Sequence, residues 1–229
     1  IAAYGCNAAM MHYHATPEDH AVLEKKGFLL VDSGATYMDG TTDITRTYPL
    51  GELTEDEKRF YTWTLQSHID LAKAVWLDYC ECKMIDTIAR EPLWRHLINY
   101  RCGTGHSVSF VGNVHEGPHA LNSRNTTRMR PGMVVTDEPG VYETDLVGIR
   151  IENELVCVHK ADNQYGTFLG FEPLMFVPIA TSPILPGVLD KDEIAWLNDY
   201  HRQVFAKLAP HLNDEERSWL AEKCAAIGC

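Results

Sequence analysis

No apolar stretch in this 229-residue sequence approaches the roughly 20 residues needed to cross a bilayer as a helix, so no transmembrane segment is expected. The first residues lack the basic, apolar and small-residue succession of a secretory signal. Basic side chains are scarce: 20 Lys and Arg stand against 32 Asp and Glu, a net charge of −12. That balance argues against nucleic acid and against a membrane surface as the main partner. Cysteine is present seven times, an odd number without framework spacing, which argues against a disulfide scaffold. Cys80 and Cys82 form a CxC inside an expected helix rather than a CxxC knuckle, which argues against a structural zinc site. Reduced thiols in a cytoplasmic setting are the expectation. Repeats, low-complexity tracts and a Pro/Gly-rich linker are also missing, so residues 1–229 read as one domain. The chain opens at Ile1 rather than Met, which reads as a trimmed or excised stretch.

What is there is an ordinary globular composition, 45% hydrophobic and 10% aromatic, enough for one sizeable core. Phe28 to Val31 reads as a buried strand, Ser33-Gly34-Ala35 as a turn, and Tyr37-Met38 as a second extended piece. Asp39-Gly40 turns the chain again before Ile44 to Tyr48 extends. Thr54 and Glu57 form a capping box ahead of a helix carrying Phe60, Leu65, Ile69, Ala72 and Trp76. A shorter helix covers Met84 to Arg90, and Pro92 either ends it or starts another toward Tyr100. Val108 to Val111, Met133 to Thr136, Gly148 to Val158 and Phe171 to Pro178 read as strands between Gly and Pro turns. Asp190 with Glu193, and Asn213 with Glu216, cap two final helices. The order predicts an α+β fold, a sheet with helices packed on it.

Several residues offer chemistry. Asp32 and Asp43 end two extended pieces that a folded-back chain brings to one patch. Paired carboxylates repel unless a cation lies between them, although a turn cap and a surface acid explain the two equally simply. His106 follows glycines in Gly103-Thr104-Gly105, where the backbone can approach a site closely; a structural histidine is the plainer alternative. His115 and Glu116 follow. Glu138 precedes Pro139-Gly140. Alternation places Arg150, Glu152 and Glu154 on one side of a strand, facing either solvent or a polar cavity. Four carboxylates and one imidazole form an oxygen-rich donor set, better suited to Mn, Co or Fe than to structural zinc. Two such ions together can activate water and polarise a carbonyl. Two divalent ions would also bring the charge from −12 to about −8.

With their flanking sequence these positions resemble the pita-bread metallopeptidases, and among them the aminopeptidase P (Xaa-Pro aminopeptidase) group of the cytosolic type. The resemblance rests on HYHAT at His12, LVDSGATYMDGTTDITRT, GTGH, NVHEGPH, PGMVVTDEPGVY, GIRIENELV, FEPLMFVPI and WLNDYH, in this order over nearly the whole chain. It implies a curved antiparallel sheet with helices on its outer face, and two divalent metal ions, manganese first, with Co, Fe or Zn as alternatives. Asp32 would bind one ion, Asp43 and Glu152 would bridge both, and His106 would complete the shell of the other. Glu138 would be a ligand and also the acid/base. His115 would hydrogen-bond the scissile carbonyl, His12 would line the proline side of the substrate, and Arg150 would hold charge near the site. The implied reaction is removal of an N-terminal residue from peptides with proline second. A prolidase acting on Xaa-Pro dipeptides and a catalytically weakened binding module are the alternatives. Relatives of this type carry N-terminal domains ahead of the catalytic one and form homodimers.

One departure stands out. The family reads His-Gly-Thr-Gly-His where this chain reads Cys102-Gly103-Thr104-Gly105-His106. The first His is a substrate-side helper rather than a ligand, and a thiol cannot replace its imidazolium. Metal binding is therefore expected to survive, with catalysis weakened or retuned. Ser107 and Ser109 also stand where the family has glycines, which is expected to narrow the pocket.

Overall fold

The computed structural model describes residues 1–228; Cys229 lies outside the described residues. In chain order the elements are β1 (Ala2–Tyr4), β2 (Phe28–Tyr37), β3 (Gly40–Pro49), α1 (Glu55–Ala72), β4 (Val75–Leu77), α2 (Cys82–Trp94), β5 (Gly105–His106), β6 (Ala120–Leu121), β7 (Val134–Asp137), β8 (Gly140–Glu143), β9 (Val147–Arg150), β10 (Asn153–Asn163), β11 (Gly166–Pro173), α3 (Lys191–Leu208) and α4 (Asp214–Lys223). Every strand pairing is antiparallel. The sheets run β1-β2-β3 and β4-β11-β10-β7, with hairpin pairs β5-β6 and β8-β9. Glu152 N donates to Thr45 O at 3.1 Å and Ser107 bridges Val135, so the pieces join into the curved wall of the pita-bread fold.

Three of the four α-helices begin with full capping boxes, Thr54/Glu57, Asp190/Glu193 and Asn213/Glu216, which satisfy amides that a helix start otherwise leaves unpaired. One core cluster packs Leu71, Ile85 and Ala89 of α1 and α2 against Leu155, Cys157 and Leu169 of the four-stranded sheet. A second packs Tyr61, Leu65 and Ile69 of α1 with Leu197, Tyr200 and Val204 of α3 against Val147, Ile149 and Ile151. Buried apolar area of this kind contributes roughly 25 cal/mol per Å².

Several local expectations change. Ser33-Gly34-Ala35 does not turn: β2 runs straight through it to Tyr37. Pro92 neither ends α2 nor starts a new helix, because it sits in the last turns of a helix that continues to Trp94. Val108–Val111 is loop, with Phe110 and Val111 exposed. The Gly148–Val158 strand is two strands broken at Ile151-Glu152, and Phe171 lies late in a strand that starts at Gly166. Cys82 opens α2 and Cys80 lies in the turn before it. Among the described residues six cysteines are free, and no helix is long and apolar enough to cross a membrane.

Candidate metal centre

The β2-β3 hairpin explains how the two aspartates meet. In its register Asp32 pairs with Thr45 and Gly34 with Asp43. Residues two apart share a face of a strand, so Asp32 and Asp43 are diagonal neighbours on one face. Gly34 makes this possible: a Cβ there would lie 2.0 Å from Thr42 O. Gly105 plays the same part for His106, since a Cβ there would lie 1.8 Å from Thr136 O. The close approach seats β5 against β7, and His106 N donates to Thr136 Oγ1 at 3.0 Å. Thr136 Oγ1 in turn donates to Glu138 Oε1 at 2.9 Å.

Asp32, Asp43, Glu138, Glu152, His106, His115, His12, Arg150 and Cys102 all line one cavity of about 620 Å³. His106 Nε2 lies 3.5 Å from Asp43 Oδ2 and 3.4 Å from Glu138 Oε1. Its Nδ1 faces Ser107 O at 3.1 Å, a contact that needs the proton on Nδ1 and leaves the Nε2 lone pair toward the carboxylates. Asp43, His106 and Glu152 each present a ligand atom within 4.8 Å of the others. The His115 ring lies against His106, tilted by 36° with centroids 3.8 Å apart. Burial, with help from His106, lowers the His115 pKa. Burial also resists protonation of His106, but Asp43 and Glu138 outweigh it and its pKa rises.

Arg150 is buried and heavily bonded. Its Nη2 donates to Asp32 Oδ2 at 2.6 Å, its Nη1 to Tyr142 Oη at 3.1 Å and its Nε to Thr45 Oγ1 at 3.1 Å. Thr45 Oγ1 donates to Glu152 Oε2 at 2.6 Å. The guanidinium is therefore committed to fixing Asp32 and, through Thr45, Glu152.

The electrostatics fit cations. With all four carboxylates ionised against one guanidinium, the cavity would carry three net negative charges, and burial resists that. Burial pushes the Glu138 carboxyl up to about 7. It raises Glu152 well above the ordinary carboxyl range, with the charges of Glu138 and Asp43 adding to the effect. Buried like charges at this spacing are stable only if protons or metal ions neutralise them. The His106 Nε2, aimed at the same oxygens and a donor to metal once it gives up its proton, completes a donor set for divalent metal. Cys102 lies on the rim. Burial, then the charge of Glu138, raises its pKa, so it stands as a neutral thiol at pH 7.

Sequence reasoning missed the supporting hydroxyls. Thr45, Thr136 and Tyr142 lie inside the runs that carry the resemblance, but their residue type and spacing give no sign of what they support. The alternation Asp43-Thr45-Thr47 on one face of β3 was the one available signal for Thr45, and Thr47 likewise donates to Arg150 O at 2.8 Å.

Residues 1–159 match metallopeptidase family M24, and residues 167–227 match the C-terminal region of the same peptidases. Aminopeptidase P2 of Arabidopsis thaliana is 43% identical over 96% of this chain and 32% of its own length. Aminopeptidase P1 of Lotus japonicus is 41% identical over 100% of this chain and 35% of its own. The chain thus spans about a third of the length of these relatives. Among solved structures, X-prolyl aminopeptidase from Caenorhabditis elegans, described as a cytosolic enzyme with a di-nuclear active site, superposes with a TM-score of 0.94. It is 37% identical and covers 99% of this chain and 38% of its own. Prolidase from Pyrococcus furiosus superposes with a TM-score of 0.65 at 28% identity, over 76% of this chain and 48% of its own. With a family match over more than half its length and these likenesses beside it, the chain belongs to metallopeptidase family M24.

Proposed function

We propose that this chain is the catalytic domain of a dinuclear Xaa-Pro aminopeptidase, which removes the first residue of peptides with proline second. The observation that carries the reading is the single cavity holding four carboxylates and His106 with one committed counter-charge. Asp32, Asp43, Glu138, Glu152 and His106 would hold the ions. Manganese is the occupant this oxygen-rich set favours. The ions supply an activated water at neutral pH and polarisation of the scissile carbonyl.

The chain's own residues do the rest. The cavity admits the N-terminal end of the substrate and places its first peptide bond beside the ligand carboxylates. His115, neutral at pH 7, donates a hydrogen bond to the carbonyl oxygen as it gains charge. Glu138 takes the proton of the attacking water and delivers it to the departing proline nitrogen. Arg150 does not reach for substrate; it holds Asp32 and Thr45 in place. His12, exposed at the mouth, packs against the proline ring.

Residues 1–229 act as one catalytic unit in this reading, supported by the α1-α3 core that reaches Ile149 and Ile151 beside Glu152. The six free thiols support a reducing, cytoplasmic setting. The test is turnover of an Xaa-Pro-Yaa tripeptide and an Xaa-Pro dipeptide by the metal-stripped full-length protein, before and after Mn is added. Mn-dependent cleavage of the tripeptide is expected. Cleavage of the dipeptide alone would make the protein a prolidase, and failure to bind Mn would remove the reading.

A further inference from the structure

A second cavity, about 680 Å³, opens beside the metal cavity and shares Cys102, Gly103 and Asn122 with it. Its floor is electrically settled. Asp86, its one acidic lining residue, takes the Arg90 Nε at 2.8 Å and the Thr104 hydroxyl. Arg90 also donates to Tyr100 O and Cys102 O, both at 2.8 Å. Its rim is different. Arg101 and Arg124 both line the groove and are exposed, and among the described residues neither guanidinium pairs with a carboxylate. Two guanidiniums without a carboxylate partner on one groove are conspicuous in a protein of net charge −12. Asn122 adds a neutral donor: its Oδ1 accepts from Arg124 N and Asn125 N at 3.0 and 3.1 Å. That fixes the amide and leaves its NH2 uncommitted at the point where the two cavities meet.

We propose that this groove is a carboxylate subsite for the part of the peptide that follows the scissile bond. The inference rests on the aminopeptidase reading above. The aminopeptidase reading places the first peptide bond of the substrate in the metal cavity. The adjoining groove is cationic, with Arg90, Arg101 and Arg124 against Asp86, and attracts a carboxylate, so a carboxylate on the part of the peptide beyond the scissile bond is drawn across Cys102 and Asn122. The carboxylate is either the free α-carboxylate of a short peptide or an acidic side chain of a longer one, since guanidinium binds both through the same paired geometry.

The experiment compares kcat/KM of the full-length, Mn-loaded protein on Xaa-Pro-Yaa with a free and an amidated C-terminus. A second comparison uses Xaa-Pro-Yaa-Glu-amide and Xaa-Pro-Yaa-Gln-amide. Each exposed charge pair contributes roughly two- to fivefold, so a carboxylate preference of about five- to twentyfold is expected, weakening with added salt. The Arg101→Gln/Arg124→Gln double variant should collapse that preference toward unity, chiefly through KM. Preference for the free acid assigns the α-carboxylate, and preference for Glu over Gln assigns the side chain. Equal rates on both pairs of peptides, or a preference the double variant leaves intact, overturns the proposal while the aminopeptidase reading stands. No turnover of any of these peptides removes both.

Discussion

Replacing Thr45 with Val keeps the β-branched shape that suits β3 and removes one oxygen. That oxygen is fully buried, donates to Glu152 Oε2 at 2.6 Å and accepts from Arg150 Nε at 3.1 Å. In the metal-stripped protein burial keeps Glu152 largely protonated, so its bond counts as a neutral one of about 1 kcal/mol, while the bond from a guanidinium counts about 1.5–3. Thr45→Val should therefore destabilise the metal-stripped protein by about 2.5–4 kcal/mol. The loss should be larger with metal bound, because Glu152 is then a carboxylate left without its donor. The assay is urea unfolding with and without Mn, together with calorimetric Mn titration. Thr45→Ser keeps the oxygen and should stay within about 1 kcal/mol of the parent. If Thr45→Val unfolds within about 0.5 kcal/mol of the parent and binds Mn equally tightly, the idea that Thr45 and Arg150 hold Glu152 in place is wrong.

His201 is fully buried, and its Nε2 accepts from Ile179 N at 3.1 Å. Burial, aided by the charge of Arg46, lowers its pKa to about 4. Between that value and the ordinary 6.5, the unfolded chain binds the proton and the folded one does not. Stability from this group is therefore complete above pH 6.5 and is lost as pH falls toward 4, about 3 kcal/mol in all. His201→Gln should remove that slope from the difference in unfolding free energy between variant and parent across pH 4–7; parallel curves would refute it. Gly105→Ala drives a methyl into Thr136 O and should cost upwards of roughly 3 kcal/mol, with loss of bound metal by elemental analysis; a variant that keeps full metal content would refute the seating of His106 on β7. Cys102→His should raise kcat on an Xaa-Pro peptide by about tenfold or more, as a restored proton-handling helper, and no gain would show that the thiol is no handicap.

Much of this was legible locally. Capping boxes are complete within four residues, so α1, α3 and α4 announce their own starts. The Asp39-Gly40 turn is likewise local, and it brings Asp32 and Asp43 to one face by register alone. Other features depend on distant partners. Ser33-Gly34-Ala35 looks like a turn because Gly and Ser favour turns, yet Gly34 is there to let β3 approach. Val108 to Val111 is apolar enough for a strand, but only Ser107 finds a bridge partner, and the segment passes on as loop. That Arg150 holds Asp32 has no local sign either, because the two lie 118 positions apart. Thr45 gives no local sign of its role because what it serves lies 107 positions later.

Arg46 sits next to Thr45 and is almost fully buried. It donates to Glu152 O at 2.5 Å, to Asn153 Oδ1 and Val177 O at 2.8 Å each, and to Tyr200 Oη at 3.0 Å. Tyr200 belongs to α3, 154 positions downstream of Arg46. In order of synthesis this matters. Asp32 and Asp43 leave the ribosome before Glu152, and Glu152 before α3. The contacts that hold the Glu152 backbone through Arg46 are complete only once Tyr200 of α3 has followed. A nascent chain that ends before Glu152 therefore exposes aspartates without the full donor set, and the last ties of that set form when α3 closes over Arg46.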